Sequence, residues 1–223
     1  TQIKTNEEAN RIFQGQRWNV NLSLEKIDLT SGKKIISNDE YGEILFTEYG
    51  LSGPVALQVS RHVKDFSDSS LYAIVDFFPK ISNRQLAEIL SQRLRDLSDM
   101  PAKRILIGLL PTKIALEIAS RIVKNPDKRK IKTISLDEIS GLIVLSKSLR
   151  FKVTGTTGFE KAQVTAGGIP CNEVNPYTCE SLVCKDLYLC GEILDVDGNC
   201  GGYNLQFAWS SGFLAGESAG KSL

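Results

Sequence analysis

Hydrophobic and polar residues alternate over residues 17–25. Apolar side chains occupy every second position, and polar ones lie between them: Trp18, Val20, Leu22 and Leu24 alternate with Asn19, Asn21 and Ser23. A period of two is typical of a strand with one buried face and one wet face. Further strand candidates lie at 33–37 and 43–46, after a turn at 30–32. The pattern predicts a small antiparallel β unit in residues 1–50.

The pattern changes to a helical period between residues 51 and 145. Two capping boxes, Ser82 with Gln85 and Ser135 with Glu138, each precede apolar residues three and four positions apart. Two more N-caps are predicted, at Ser52 and Thr112. These signals predict a small helical bundle at 51–145, within which residues 71–78 are β-rich, and a strand at 151–154 within 146–156 that returns to the β unit. The fold class is therefore α+β.

Glycine, cysteine and asparagine become frequent after residue 154, while charged residues become rarer. A short apolar run at 187–190 predicts a buried strand that leads into Gly191 and Glu192. A glycine-rich loop follows, and then a helix from Tyr203 to about Gly220. Small residues recur every fourth position on one face of that helix, which predicts close packing: Ala208, Gly212, Gly216 and Gly220.

The start of this helix and the nearby carboxylate together suggest a ligand site. A helix N-terminus presents unpaired N–H groups and favours an electron-rich ligand edge, such as a phosphate or a reduced flavin ring. Glu192, at the end of the predicted strand, could accept hydrogen bonds from sugar-like hydroxyls. These features are what a flavin site needs. The alternative is a tightly packed strand, loop and helix with no ligand.

Charge and hydropathy exclude several partner classes at the level of the whole chain. The 223 residues carry 27 Lys and Arg against 26 Asp and Glu, a net charge of +1. This balance argues against a broad nucleic-acid footprint and against a polybasic membrane anchor. No apolar run approaches the roughly 20 residues that span a bilayer. We therefore expect a cytoplasmic protein with neither nucleic acid nor membrane as partner.

Cysteine and histidine give no catalytic or metal signature. The five cysteines all lie in the last quarter of the chain and none forms a C-x-x-C pair: Cys171, Cys179, Cys184, Cys190 and Cys200. We predict reduced thiols in a cytosolic protein, and no metal. His62, the only histidine, is expected to be a surface or packed residue. No residue stands out as a catalytic acid, base or nucleophile.

Several short motifs occur in one order along the chain. They are VTAGGI at 164–169, YTCES at 177–181, GEILDVDG at 191–198 and GGYNLQ at 201–206, with GEILFT at 42–47 and GLSGP at 50–54 upstream. In this order they resemble a bacterial flavoprotein family, the one that includes aminoacetone oxidase and flavoproteins associated with bile-acid dehydroxylation. The resemblance covers essentially the whole chain.

The resemblance implies a two-dinucleotide-binding-type FAD domain that is split in sequence by an insert. In that family the insert is made of a β-barrel-like unit and a helical bundle, so residues 1–50 with 146–156 would be the barrel-like unit, 51–145 the helical unit, and 157–223 the second part of the FAD domain. Glu192 would hold the ribityl chain, and residues 201–205 would approach the pyrimidine edge of the flavin. The cofactor-binding residues implied are Thr165, Gly167, Gly168, Gly191, Glu192, Asp195, Gly201, Gly202, Tyr203, Asn204 and Leu205.

One departure from the family pattern is large. The G-x-G-x-x-G turn that holds the FAD pyrophosphate does not occur in this sequence, and the first residue is not Met. We therefore expect a fragment of an FAD-dependent oxidoreductase that binds FAD weakly or not at all by itself. The whole protein would act on an unknown small-molecule substrate, with NAD(P)H or oxygen as redox partner. The alternative is a non-catalytic insert or interaction module, inactive without the missing N-terminal half.

Overall fold

The computed structural model describes residues 1–28, 30–32, 34–63 and 69–221. These residues divide into two compact units, which are described separately below. One comprises residues 2–157, and the other residues 158–223 with residue 1.

A closed antiparallel barrel forms the first part of the 2–157 unit. Its strands follow each other around the barrel in the order β1-β4-β3-β2-β5-β6, and β6 returns to β1. Their bounds are Ile3–Thr5 for β1, Arg17–Asp28 for β2, Lys34–Phe46 for β3, Gly50–Ser52 for β4, Ser69–Asp76 for β5 and Leu149–Thr156 for β6. Together with the helices, the barrel confirms the α+β class and the antiparallel β unit.

Apolar side chains that alternate along the strands fill the barrel interior. Val20, Leu22 and Leu24 of β2 are fully or almost fully buried, as the period of two predicted. Four phenylalanines meet inside with ring centroids 5.3 to 6.2 Å apart: Phe13, Phe46, Phe77 and Phe151. Large aromatic rings fill the lumen of a small barrel and bury much apolar area.

Barrel closure also explains where the sequence predictions were wrong. One continuous strand, β3, replaces the two predicted at 33–37 and 43–46. Strands β4 and β5 lie mostly inside the range 51–145 assigned to the helical unit, because β4 pairs with β1 and β3, and β5 pairs with β2 and β6, to close the barrel. The β-rich stretch at 71–78 corresponds to β5. Ser52 therefore ends β4 and caps no helix. At Gly50, a Cβ atom would lie 2.1 Å from the Ile3 carbonyl oxygen, so only glycine fits.

Among the described residues, five α-helices belong to the 2–157 unit and one to the second unit. Their bounds are Glu7–Phe13 for α1, Pro54–Val59 for α2, Asn83–Asp96 for α3, Thr112–Ile122 for α4, Leu136–Lys147 for α5 and Tyr203–Lys221 for α6. Both predicted capping boxes are confirmed, at Ser82 and at Ser135. Thr112 is the first residue of α4 and follows Pro111, so it is not the predicted cap.

Helices α3, α4 and α5 pack with the barrel into one hydrophobic core. Leu86 and Leu90 of α3, Ile118 of α4 and Leu142 of α5 are fully buried in the same cluster as the barrel side chains. A shared core makes residues 2–157 a single folding unit.

The segment between α4 and α5 is tied to α5 by one ion pair. The guanidinium group of Arg129 donates to both carboxylate oxygens of Glu138, at 2.7 and 3.0 Å. Glu138 also accepts the backbone N–H of Lys124 at 3.0 Å. The hydrogen bonds from Arg129 lower the pKa of Glu138 from 4.5 to about 2.

The second unit has little regular structure besides α6. Its core consists of Val174, Leu189 and Leu194, with Ile169, Val196 and Phe207 packed against them. The strand predicted at 187–190 was wrong, because only Tyr188 in that run pairs, in an isolated bridge with Glu180. A strand needs a neighbour that pairs over several residues, and the described residues of this unit supply isolated bridges only. The helix predicted from Tyr203 is confirmed.

Candidate functional site

A cavity of about 390 Å³ lies in the second unit, beside the start of α6. This volume is within the range of small-molecule sites, about 300 to 1,000 Å³. It is lined by Gln163, Val164, Glu192, Val196, Cys200, Gly201, Gly202, Asn204, Leu205, Phe207 and Ala208. Five of the eleven residues implied by the family resemblance are therefore in its wall.

Glu192 provides the only carboxylate in this wall. It lies in a short 3-10 turn, Gly191–Ile193, and its Oε1 atom accepts the backbone N–H of Thr165 at 2.7 Å. This bond brings Thr165, another implied site residue, to the edge of the cavity. The Oε2 atom accepts no hydrogen bond from the described residues, so it can accept one from a ligand hydroxyl.

The turn that carries Glu192 is fastened to α6. The Gly191 N–H donates to Ser211 Oγ at 2.9 Å, and that hydroxyl donates to the Phe207 carbonyl at 2.7 Å. A Cβ atom on Gly191 would lie 3.7 Å from the Ala208 Cβ, so the turn lies directly on the helix. Glu192 is thus held beside the first turns of α6.

The N-terminus of α6 also forms part of the wall. Gly201 and Gly202 precede it, and Asn204 and Leu205 belong to its first turn. The Asn204 side chain fastens the preceding loop, because its Oδ1 accepts the Gly198 N–H at 2.7 Å and its amide donates to the Gly198 carbonyl at 3.0 Å. The first amides of a helix have no intrahelical acceptor and carry the positive end of its dipole. The cavity therefore combines one carboxylate with one electropositive helix end.

Six of the implied site residues do not line this cavity: Thr165 and Gly191, whose contacts are described above, and Gly167, Gly168, Asp195 and Tyr203. Gly168 has a packing role, since a Cβ atom there would lie 2.6 Å from the Ile193 carbonyl oxygen. Next to it, the Asp195 N–H donates to the Ile169 carbonyl at 2.9 Å. Tyr203 is 66% exposed.

Six lining residues were not among the implied site residues. Gln163 and Val164 lie beside Thr165, and Cys200 directly precedes Gly201. Val196, Phe207 and Ala208 complete the wall. Phe207 and Ala208 follow the first turn of α6, so their place could have been read from the helix period. Val196 carries no such signal.

The small-residue face of α6 packs closely over part of its length. Ala208 contacts the Gly191 turn, and a Cβ atom on Gly212 would lie 4.0 Å from Cys190 Sγ. A Cβ atom on Gly216 or Gly220 would meet nothing within 4 Å among the described residues. The second half of this face is therefore open within the described chain.

The cysteines and potential metal ligands add no second site. No disulfide joins the five cysteines, and burial raises the pKa of the Cys179 thiol, the buried one among them. Within the described ranges, no group of three or more His, Cys, Asp or Glu side chains could hold a metal ion. The helices described in the structure include none that is both long and apolar enough to cross a bilayer.

Comparison with known proteins identifies the family. Residues 7–164 match the family described as "HI0933-like protein barrel and H2TH domain". This chain belongs to the HI0933-like family. The match covers strands β2 to β6 of the barrel and the helices α1 to α5, and it confirms the resemblance to a flavoprotein family.

Individual proteins are also similar to this chain in sequence. A 3-dehydro-bile acid delta(4,6)-reductase of Clostridium scindens is 36% identical over 199 residues, which cover 87% of this chain and 47% of that protein. Ribosomal RNA dihydrouridine synthases of Haemophilus influenzae and Escherichia coli are 34% and 30% identical, each over 78% of this chain and 41% of their own length. The chain thus spans about half the length of the relatives it matches. The reductase alignment covers more of this chain than residues 1–157 could supply, so it extends into the second unit.

Proposed function

We propose that this chain is part of an FAD-dependent oxidoreductase and carries the flavin and ribityl end of its cofactor site. The observation that carries the proposal is the single cavity that joins the Glu192 carboxylate to the N-terminus of α6. Membership of a flavoprotein family supports it at a coarser level.

The residues present fit that end of the cofactor. Glu192 would accept hydrogen bonds from ribityl hydroxyls through Oε2, while Thr165 fixes Oε1. The first amides of α6, at Tyr203, Asn204 and Leu205, would orient the electron-rich pyrimidine edge of the ring. When bound, the flavin would supply the hydride or electron transfer. The role of this chain is to bind and orient the ring.

The rest of the cofactor needs residues beyond those described. No G-x-G-x-x-G turn is present for the pyrophosphate. Ten of the fourteen exposed large hydrophobic side chains in the described ranges belong to the second unit, including Trp209 and Phe213 of α6. Such surface is typically covered by another part of a protein. We propose that the second unit completes a two-dinucleotide-binding-type FAD domain in the whole protein, and that this chain alone binds FAD weakly or not at all.

The substrate proposal stays broad. We propose a small-molecule substrate, with NAD(P)H or oxygen as redox partner. By their names, one relative is a reductase of a bile acid and others are synthases that act on ribosomal RNA. Members of one family therefore act on substrates of very different size. A non-catalytic interaction module is the second candidate. The self-contained core of residues 2–157 favours it, because that unit needs no cofactor to pack.

Substitution of Glu192 in the whole protein tests the site. Glu192→Ala should weaken FAD binding about tenfold or more, the loss expected for a hydrogen bond to a charged group, and Glu192→Gln should lose less. Glu173→Ala is the matched control, since Glu173 is exposed and lies outside the cavity wall. The readout is FAD affinity by flavin fluorescence. Equal FAD affinity in all three variants would contradict the proposed site.

Titration of this chain with FAD tests the shared nature of the site. We expect no stoichiometric retention of flavin after gel filtration of the chain alone, judged by visible absorbance. Tight one-to-one binding by the chain alone would show that the cofactor site is complete without further residues, and would overturn that part of the proposal.

A further inference from the structure

The basic residues of this chain are unevenly distributed. Nine Lys and Arg but only two Asp and Glu lie between residues 101 and 135, although the whole chain has a net charge of only +1. The rest of the chain is therefore net acidic. The neutral total, from which we expected no nucleic-acid partner, conceals a local positive excess.

Backbone hydrogen bonds bring the basic residues of two segments together. The Ala102 N–H donates to the Arg129 carbonyl at 2.8 Å, and the Lys103 N–H donates to the Pro126 carbonyl at 3.0 Å. Residues 98 and 100 accept the N–H groups of Lys132 and Ile131 at 3.1 and 2.9 Å. Residues 98–104 thus run alongside residues 126–132. Six cations on these segments and at the end of α4 form what we name the basic ridge: Lys103, Arg104, Lys124, Lys128, Lys130 and Lys132.

Two carboxylates in this region, Asp99 and Asp127, form ion pairs with lysines of the ridge. Asp99 accepts from both Lys130 and Lys132, at 3.0 and 2.9 Å, and these two lysines lower its pKa to about 2. Asp127 pairs with Lys103. These two acids hold three of the six cations, so they do not neutralise the ridge.

The remaining three cations have no such partner. Arg104, Lys124 and Lys128 are exposed, and no carboxylate of the described residues lies within 4.0 Å of their charged groups. The nearby Glu138 carboxylate is occupied by Arg129 and by the Lys124 backbone N–H. Arg104, Lys124 and Lys128 can therefore contact an external anion.

The surroundings of the ridge decide the class of partner. No large hydrophobic side chain is exposed between residues 98 and 135, and the nearest exposed one along the chain is Leu136. A protein interface needs apolar or aromatic anchors at its centre, and an amphipathic membrane-binding surface needs apolar residues that insert. Contact with nucleic-acid phosphates needs neither, because released counterions supply the free energy.

We propose that the basic ridge binds the phosphate backbone of a nucleic acid. The contacts would be ionic and independent of base sequence, and they would position the strand on the helical part of the 2–157 unit. The proposal does not depend on FAD, so its failure and the failure of the proposed flavin site can be told apart.

Fluorescence anisotropy of this chain with a labelled RNA stem-loop, and with a DNA duplex of the same sequence, tests the proposal without flavin. The triple variant Arg104→Ala/Lys124→Ala/Lys128→Ala should weaken binding about tenfold or more. Loss of three phosphate contacts should also make the slope of log K against log salt shallower by about two. A preference for RNA over DNA at equal salt would identify the natural strand.

A charge-matched control separates the ridge from total charge. Lys26→Ala/Lys34→Ala/Lys152→Ala removes three exposed lysines from barrel strands and should bind as the unsubstituted chain does. Equal weakening by both triple variants, or no binding to either nucleic acid at low salt, would overturn the proposal. Ridge-dependent binding to phosphatidylserine vesicles without nucleic-acid binding would overturn it as well.

Discussion

The two units of this protein differ most in how much apolar surface they bury. The 2–157 unit has a core cluster of 35 buried hydrophobic residues, whereas the core of the second unit has three among the described residues. The second unit nevertheless contains the cavity with Glu192 and the N-terminus of α6. The larger buried core thus lies in one unit and the candidate cofactor site in the other.

This difference explains how a site can be present in a unit that packs poorly by itself. Hydrogen bonds such as Gly191 N–H to Ser211 Oγ set the local geometry of the cavity. Exposed side chains such as Trp209 and Phe213 leave the unit with apolar surface to cover. Local geometry can be complete before packing is, because it depends on a few hydrogen bonds within the unit and on one helix.

Removal of a barrel ring should give the largest stability loss. Phe46 contacts three other rings inside the barrel, so Phe46→Ala should cost about 3 to 5 kcal/mol. Leu194→Ala, in the small core of the second unit, should leave the main transition within about 0.5 kcal/mol. Urea unfolding followed by far-UV circular dichroism measures both. Equal losses would show that the two cores unfold as one.

The Arg129–Glu138 pair should make the 2–157 unit sensitive to acid. The folded pKa of Glu138 is lowered from 4.5 to about 2, so its contribution is complete above about pH 4.5 and disappears as pH falls towards 2. Glu138→Gln keeps the capping geometry and removes the charge, and should cost about 2 kcal/mol at pH 7.

The pH dependence of that cost is the decisive part. The difference from the unsubstituted chain should shrink steadily between pH 4.5 and 2, as measured by urea unfolding. Glu88→Gln, which removes an exposed pair with Arg84, is the control and should cost less than about 0.5 kcal/mol. A cost for Glu138→Gln that does not change with pH would contradict an ionic role.

Removal of a helix cap should give the smallest effect. Ser82→Ala breaks the capping box of α3 and should cost about 1 kcal/mol. Ser120→Ala, at an exposed position inside α4, should be neutral or slightly stabilising. Both values come from urea unfolding at pH 7. A similar cost at the two serines would mean that the cap contributes nothing specific.

Local signals in the sequence predicted local structure well. Alternation predicted β2, and the spacing of Ser82 with Gln85 and of Ser135 with Glu138 predicted the starts of α3 and α5. The short elements β1 and α1 were not predicted. Three residues give β1 too short a pattern, and its pairing with β4 and β6 depends on residues far away in sequence.

The sequence also predicted part of the candidate site. Gly201, Gly202, Asn204 and Leu205 adjoin a helix start that the sequence marks clearly, and they line the cavity with Glu192. Gly168 matched the same family motifs, yet its close approach to the Ile193 carbonyl gives it a packing role. A motif indicates which residues are found near a site, whereas tertiary packing determines which of them line the cavity.

Hydrogen–deuterium exchange of this chain, read by mass spectrometry of its peptides, tests the contrast between the two units most directly. Exchange rates follow the free energy of local opening, so the buried core of the 2–157 unit should protect its amides strongly. We expect buried amides of β2, β5 and α4 to exchange at least about tenfold more slowly than those of α6, a difference of about 1.4 kcal/mol or more. Equal protection of α6 and of the barrel strands would contradict the account.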